Sequence, residues 1–300
     1  MTVQPANPLF VPTGTSKSVA APLPDSSPAF YTPAVHIPRD NRYRLPHGFV
    51  SQMQLHRLGA DALRLIHAML HATCRDNPDW TNTTSYVTPE DGYKLRLSAL
   101  HTTIGPARSN DCRSYLRGIA VLRKSGLFDF IDVLHNGQVL HWNYGENFLE
   151  LLFADDRYGL LDIAAIGELK RAVPIALYTE ICLRRWMPMP SFELNVDALC
   201  ALQGPGNKSW GRVRAPFIAA LQAIAARENM QFFVGLQWRY RLSGVDMLKL
   251  CILHEETRWT PSRLCKLGPN ARGALIVTAQ DVQRLHVAEV TPARMTKLLR

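Results

Sequence analysis

The chain has 300 residues, of which 47% are hydrophobic, and a formal net charge of +9. This length suffices for a sizeable buried core and, at roughly 100–200 residues per domain, favours two domains. No run approaches the roughly 18 apolar residues that cross a bilayer, and the N-terminus lacks the pattern of a signal peptide. We therefore expect a soluble, cytoplasmic protein without a membrane partner, whose positive charge favours a polyanionic ligand.

The six cysteines contain no C-x2-C pair, and the neighbouring histidines do not complete a zinc-finger spacing. A reduced protein whose thiols are structural is therefore expected. The sequence predicts no metal site and no cofactor.

Residues 1–46 are rich in proline, serine, threonine and alanine, without a sustained period of 2 or 3.6. Such a segment buries too little apolar surface to offset the entropy lost on ordering. We predict a disordered arm over residues 1–46, with a basic end at Arg39, Arg42 and Arg44.

A first folded domain is predicted over residues 47–153. It begins with a helix, because apolar side chains recur with helical spacing from Ala62 to Leu70. A strand follows around Leu95, where apolar and basic residues alternate. Residues 110–124 form a basic helix that is expected to bury Tyr115, Leu116, Ile119 and Leu122, and a hairpin around the Asn136-Gly137 signal completes the domain.

Two nine-residue windows, 98–106 and 197–205, carry the same pattern of a helix cap, a short apolar helix and a Gly-Pro stop. In the second copy, Pro174 opens a helix, residues 192–196 alternate as a strand, and a basic helix covers residues 209–227. A proline inside a helix removes a backbone hydrogen bond, so Pro216 predicts that this helix begins no more than about one turn before the proline. Two strands joined near Gly235 then complete a domain over residues 169–244.

Two further segments follow from the same patterns. A connecting helix is predicted over residues 154–168, between the two copies. Residues 245–300 form a C-terminal extension of unassigned role, in which residues 245–254 look helical.

The order helix, strand, helix, basic helix and two-stranded wing is that of a winged helix-turn-helix. The expected fold is therefore α+β, with two tandem winged-helix domains related by an internal repeat. Outward cations and one tryptophan are the candidates for contacting double-stranded DNA. They are Arg108, Arg113, Arg117, Lys124, Lys208, Trp210, Arg212, Arg214, Arg227, Arg239 and Arg241.

The chain resembles the iteron-binding plasmid replication initiators of the Rep and TrfA type. The likeness runs from about Arg57 to Leu242, and it is densest at residues 151–158 and 169–178. There a Leu-Phe, acidic, Tyr stretch precedes a "leucine, small residues, leucine-tyrosine" helix that opens the second winged helix in that family.

The resemblance implies binding to directly repeated origin sites, opening of adjacent A+T-rich DNA, and a monomer–dimer equilibrium. It also implies recruitment of the host initiator, helicase and sliding clamp, without catalysis by the protein itself. The family's clamp-binding pentapeptide is reduced here to residues 6–10, of which Leu9 and Phe10 keep the last two positions.

Two alternatives remain. A winged-helix transcriptional repressor or a partition-type regulator has the same pattern without origin opening. An enzyme such as a nuclease or primase has less support, because its motifs fail: Asn207 replaces the glycine before Lys208 in a phosphate loop, and Arg258 replaces the second histidine of a zinc protease.

Overall fold

The computed structural model describes residues 41–49, 58–76, 91–104, 112–153, 158–204, 209–238 and 244–298. Within them, helices alternate with antiparallel sheets, so the predicted α+β class is confirmed. Within the same residues, no helix is long and apolar enough to span a bilayer.

The first half of the structure follows the predicted order of elements from its first α-helix to its hairpin. In chain order it contains β1 (Arg42–Pro46), a 3-10 turn (His47–Phe49), α1 (Ala60–Asp76), β2 (Tyr93–Arg96), α2 (Leu97–Ile104), α3 (Arg113–Leu122), β3 (Phe128–Leu134), β4 (Val139–Tyr144) and α4 (Glu146–Phe153). The predicted hairpin is confirmed, since β3 pairs with β4 across a turn in which Asn136 and Gly137 have left-handed backbone conformations, φ 53° and 90°.

The second half begins with a strand, as the first does. It contains β5 (Tyr158–Asp162), α5 (Ile163–Glu168), α6 (Ala172–Arg184), β6 (Ser191–Asn195), α7 (Val196–Gln203), α8 (Trp210–Glu228), β7 (Gln231–Gln237) and β8 (Met247–Leu253). The Gly-Pro stop predicted for the second repeated window is present, because α7 ends at Gly204. The φ of Gly204 is 98°, a conformation that favours glycine.

Both halves share their topology as well as their element order. The series α1-β2-α2-α3-β3-β4 returns as α6-β6-α7-α8-β7-β8. The last strand of each series is central, because β4 lies between β2 and β3 as β8 lies between β6 and β7. The first helix of each series packs against the other two. The duplication read from the sequence therefore extends to strand pairing and helix packing.

The C-terminal residues complete the second sheet instead of forming a separate extension. They contain α9 (Pro261–Leu264), β9 (Ala271–Val277), β10 (Val282–Leu285), a second 3-10 turn (Val287–Glu289) and α10 (Pro292–Leu298). The sheet has the order β10-β9-β7-β8-β6. One of its faces joins the main core, and the other packs against Leu264, Val290 and Met295 in a second, smaller core.

Two predictions about this region are wrong. Residues 247–253 form strand β8, and the helix predicted over 245–254 is not there. Both faces of this strand are buried, so its apolar residues do not alternate with polar ones, and the sequence therefore lacks the usual pattern of a strand. Gly235 lies within β7 and does not join two strands. The sheet consequently continues past residue 244, where the second domain was predicted to end.

The predicted arm and connecting helix also require correction. Residues 42–46, inside the predicted arm, form β1, which pairs antiparallel with β5 and buries Tyr43 and Leu45. The segment predicted as a connecting helix over 154–168 contains β5 and the short α5. Gly159 explains how closely β5 approaches α6, because a Cβ there would lie 2.7 Å from the Leu183 Cα.

Helices α1 and α6, the first of each series, pack against each other. At their contact the imidazole of His67 is fully buried between Tyr43 and Thr179: the Tyr43 hydroxyl bonds Nδ1, and Thr179 Oγ1 lies 3.1 Å from Nε2. Burial lowers the pKa of His67 from 6.5 to about 3, so the ring is neutral and its two nitrogens serve one donor and one acceptor role. This polar contact, surrounded by core residues, joins the two halves.

Candidate nucleic-acid interface

Helix α3 is anchored by a narrow buried stripe and presents its opposite side to solvent. Tyr115, Ile119 and Leu122 are buried. Gly118 is buried between them, where a Cβ would lie only 3.0 Å from the Asp61 carbonyl oxygen of α1. The close approach of α3 to α1 fixes which side of α3 points outward.

Leu116 lies on the outward side, so the prediction that it is buried is wrong. It is 48% exposed, and Gly118 takes the fourth position of the buried stripe in its place. The outward surface of α3, which we call the α3 face, therefore combines cations with exposed apolar side chains. It consists of Arg113, Leu116, Arg117, Ala120, Val121 and Lys124.

Arg117 is held at the centre of the α3 face by the start of α1. Its Nε and Nη2 atoms lie 3.1 and 3.0 Å from Asp61 Oδ2, and its side chain is nevertheless 68% exposed. Asp61 also binds Arg64 at 2.8 Å. An exposed ion pair of this kind contributes little stability, about 0–1 kcal/mol, but it orients the guanidinium toward solvent.

Arg123, beside the α3 face, has a structural role. Its Nε donates to the Ile131 carbonyl at 2.7 Å, and its Nη2 lies 2.7 Å from Asp132 Oδ1. These bonds tie the end of α3 to strand β3. The neighbouring Lys124 is exposed at the end of the α3 face.

Helix α8 begins at Trp210 and continues through Pro216, so its start is earlier than the proline predicted. Proline removes the N–H that would bond the carbonyl four residues earlier, but the first turns are retained by packing. Trp210 is half-buried, with its ring centroid 5.6 Å from that of Phe217 in an edge-on contact. The tryptophan thereby anchors the turns that carry the exposed side chains of Arg212 and Arg214.

Arg227 lies at the other end of α8 and forms ion pairs with two carboxylates. Its Nη2 is 2.5 Å from Asp162 Oδ2, and its Nη1 is 2.5 Å from Glu168 Oε2. Asp162 also caps α5, accepting a bond from the Ala164 N–H at 2.9 Å. Arg227 therefore connects α8 to the segment that joins the two halves, a role that its sequence position did not reveal.

Four of the predicted DNA-contacting residues lie outside the described residues: Arg108, Lys208, Arg239 and Arg241. Of the others, the structure brings Arg113, Arg117 and Lys124 together on the α3 face. It places Arg212 and Arg214 together at the start of α8, and Arg227 about four turns away from them.

One basic surface beyond the predicted residues lies beside the first domain's helices. Lys94 and Arg96 project from the side of β2 that faces away from the buried Tyr93 and Leu95. The alternation of β2 already indicated this basic side, although neither residue was among the predicted contacts.

The titratable groups indicate structural roles for the thiols. The six cysteines are free, and burial raises the pKa of both Cys74 and Cys182 to about 12, which suppresses the reactive thiolate. Among the described residues, no three histidine, cysteine or acidic side chains converge as metal ligands would.

The chain shares its fold with a known DNA-binding protein, although comparisons of sequence alone find nothing. It matches no protein-family model and no curated protein sequence. A crystal structure of the Pi initiator protein in complex with iteron DNA superposes with a TM-score of 0.52 at 14% identity. The match covers 73% of this chain and 100% of that one. At this identity the similarity establishes the fold.

Proposed function

We propose that the chain is a plasmid replication initiator that binds repeated double-stranded DNA sites through two tandem winged-helix domains. The observation that carries the proposal is the duplicated unit of three helices and a sheet, whose third helix in each copy presents exposed arginines. In a winged helix-turn-helix, that helix enters the major groove.

The similarity to the Pi initiator protein supports this proposal, because that protein is bound to iteron DNA in its crystal structure. The net charge of +9 supports it independently, since phosphate neutralisation supplies much of the affinity for DNA. Following the family resemblance, we extend the proposal to opening of A+T-rich DNA, to recruitment of the host initiator, helicase and sliding clamp, and to a non-enzymatic role in the cytoplasm.

Footprinting on the DNA that flanks the gene tests the central claim. We expect protection of directly repeated sequences by the full chain, with affinity that falls steeply as salt rises. Binding that protects no repeated sequence would contradict an initiator role. Permanganate reactivity of neighbouring thymines then distinguishes an initiator, which opens the duplex, from a repressor or partition regulator, which does not.

Two further measurements address the remaining parts of the proposal. Analytical ultracentrifugation across a concentration series should show a monomer–dimer equilibrium, and a single mass throughout would exclude it. Metal-dependent nicking or nucleotide incorporation by the purified protein would overturn the non-enzymatic role.

A further inference from the structure

A cleft lies where the second sheet meets the end of α8. Its volume is about 510 Å³, within the range of roughly 300–1,000 Å³ that small-molecule sites have. Its walls are the end of α8, the start of β7, the turn after β8 and the turn after β9. The residues proposed to contact DNA do not line it.

The two turns that wall the cleft are fixed by hydrogen bonds of their own. His254 Nε2 lies 2.8 Å from the Arg185 carbonyl oxygen, to which it donates, and Thr257 Oγ1 donates to the His254 carbonyl at 2.8 Å. In the other turn, Thr278 Oγ1 accepts from the Asp281 N–H at 3.0 Å. These three side chains of the lining are therefore used within the fold, and they hold the walls in place.

Four other polar side chains of the lining remain available to a ligand. In the part of the chain that the structure describes, none of them has a hydrogen-bonding partner. They are Asn229, Gln231, Glu255 and Gln280. Together they offer three carboxamide oxygens and one carboxylate as acceptors.

The charges around the cleft favour a cation. No lysine or arginine is among the described residues that line it, whereas Glu255 contributes a carboxylate. The C-terminal end of α8 adds partial negative charge, about half an elementary charge, because the peptide dipoles of a helix align. Phosphate and other anions are therefore disfavoured in this cleft.

The apolar part of the lining favours an aliphatic ligand. Ala225, Met230 and Leu253 are buried, so methylene groups that lie against them leave water. The ring of Trp259 is partly buried beside them, and an aromatic ring attracts an ammonium group as well as covering hydrocarbon.

We propose that this cleft binds a small aliphatic polyamine, a ligand in which methylene chains join ammonium groups. Glu255 pairs with one ammonium group, the carboxamide oxygens accept hydrogen bonds from the remaining N–H groups, and the methylenes lie against Met230 and Leu253. The site is separate from the proposed contacts with DNA and does not depend on them. A bound polyamine connects the end of α8 with the turns after β8 and β9, so it stabilises the folded chain.

Isothermal titration calorimetry of the full-length chain without DNA, at about pH 8, tests this site with putrescine and spermidine. We expect one amine per chain and a rise in the thermal unfolding midpoint. Magnesium chloride at the same ionic strength should produce neither effect, because Mg²⁺ has no methylenes and retains its water.

Two substitutions of adjacent acids provide the matched comparison. Glu255→Gln should weaken amine binding by about tenfold, because it removes a charge-assisted hydrogen bond. Glu256→Gln removes the same charge from the neighbouring exposed residue, which does not line the cleft, and should leave binding unchanged. Trp259→Leu, which keeps an apolar side chain and removes the ring, should weaken binding by about threefold.

Three results would overturn this inference: no binding of either amine, an equal response to magnesium, or equal losses for Glu255→Gln and Glu256→Gln. The last two indicate diffuse attraction to a negative surface. No DNA is present in these measurements, so their outcome is separate from that of the footprinting that tests the proposed function.

Discussion

Thr179 Oγ1 lies 3.1 Å from Nε2 of His67, so a side chain of α6 is hydrogen-bonded to a histidine of α1 at the centre of the contact between the two halves. Thr179 also donates to the Ile175 carbonyl at 2.9 Å, which leaves its oxygen to accept from the imidazole. The neutral imidazole therefore accepts a hydrogen bond from the Tyr43 hydroxyl at Nδ1 and donates one to Thr179 Oγ1 from Nε2. Protonation would place a charge in the core and leave one nitrogen without an acceptor.

The stability of the protein should depend on pH through His67. Its pKa in the folded state is about 3, below the ordinary value of 6.5, so the unfolded chain binds the proton more tightly. The resulting stability is complete above pH 6.5 and is lost as pH falls from there toward 3, on the order of 4 kcal/mol in total. Urea unfolding at pH 7, 5 and 4 measures the loss. His67→Gln should show a shallower dependence, and parallel curves for the two proteins would contradict the assignment.

Arginine substitutions at the two ends of α8 should affect different properties, DNA binding at the start of the helix and stability at its end. Arg212→Ala and Arg214→Ala should each weaken DNA binding and reduce the slope of log affinity against log salt by about 1, because each removes a phosphate contact. Arg227→Ala should leave that slope unchanged and lower the free energy of unfolding by about 1 kcal/mol, since it breaks the pairs with Asp162 and Glu168. Gel shifts at several salt concentrations and urea unfolding separate the two effects. A reduced slope for Arg227→Ala would place that residue on DNA instead.

Gly159→Ala should destabilise the contact between β5 and α6. The added methyl carbon would lie 2.7 Å from the Leu183 Cα and 2.8 Å from the Cys182 carbonyl oxygen, so the backbone must shift, at a cost of about 1–3 kcal/mol. Gly211→Ala is the matched control, because the nearest atom to its new carbon is 3.9 Å away. Within helix α8 that change should be neutral or stabilising by up to about 1 kcal/mol. Thermal unfolding compares them, and equal effects would argue against the close packing.

Met295→Ala should show that the C-terminal residues belong to the fold. Met295 is completely buried in the smaller core, where its loss leaves a cavity that costs about 2–5 kcal/mol. Lys297→Ala, two residues away and exposed, should change stability by less than about 0.5 kcal/mol. Urea unfolding of both variants provides the measurement. Similar stability for the two variants would mean that the smaller core contributes little.

Local pattern predicted the helices and the first hairpin because their signals lie within a few residues. The spacing from Ala62 to Leu70 sets one buried side of α1, and the left-handed Asn136-Gly137 turn fixes the register of β3 and β4. The repeated window also located α2 and α7 correctly. The order of elements throughout the first copy, and as far as β7 in the second, was thus accessible from sequence alone.

Non-local contacts account for what the sequence did not reveal. The strand β1 pairs with β5, far along the chain, and no pattern near Tyr43 identifies that partner. Strand β8 was mistaken for helix because the C-terminal segment buries its second face, which removes the alternation typical of a strand. The orientation of Leu116 depends on the contact of Gly118 with Asp61, and the pairing of Arg227 depends on Asp162, which precedes it by 65 positions.

The burial of Met295 has a consequence for biosynthesis. The sheet of the second half receives its outer covering from residues that are translated after all of α8, β7 and β8. Until the residues up to Met295 have been added, that side of Phe233 and Cys251 lacks part of its apolar covering, which includes Val290 and Met295. The nascent chain therefore exposes apolar surface on this sheet until translation has passed α10, and such surface favours aggregation.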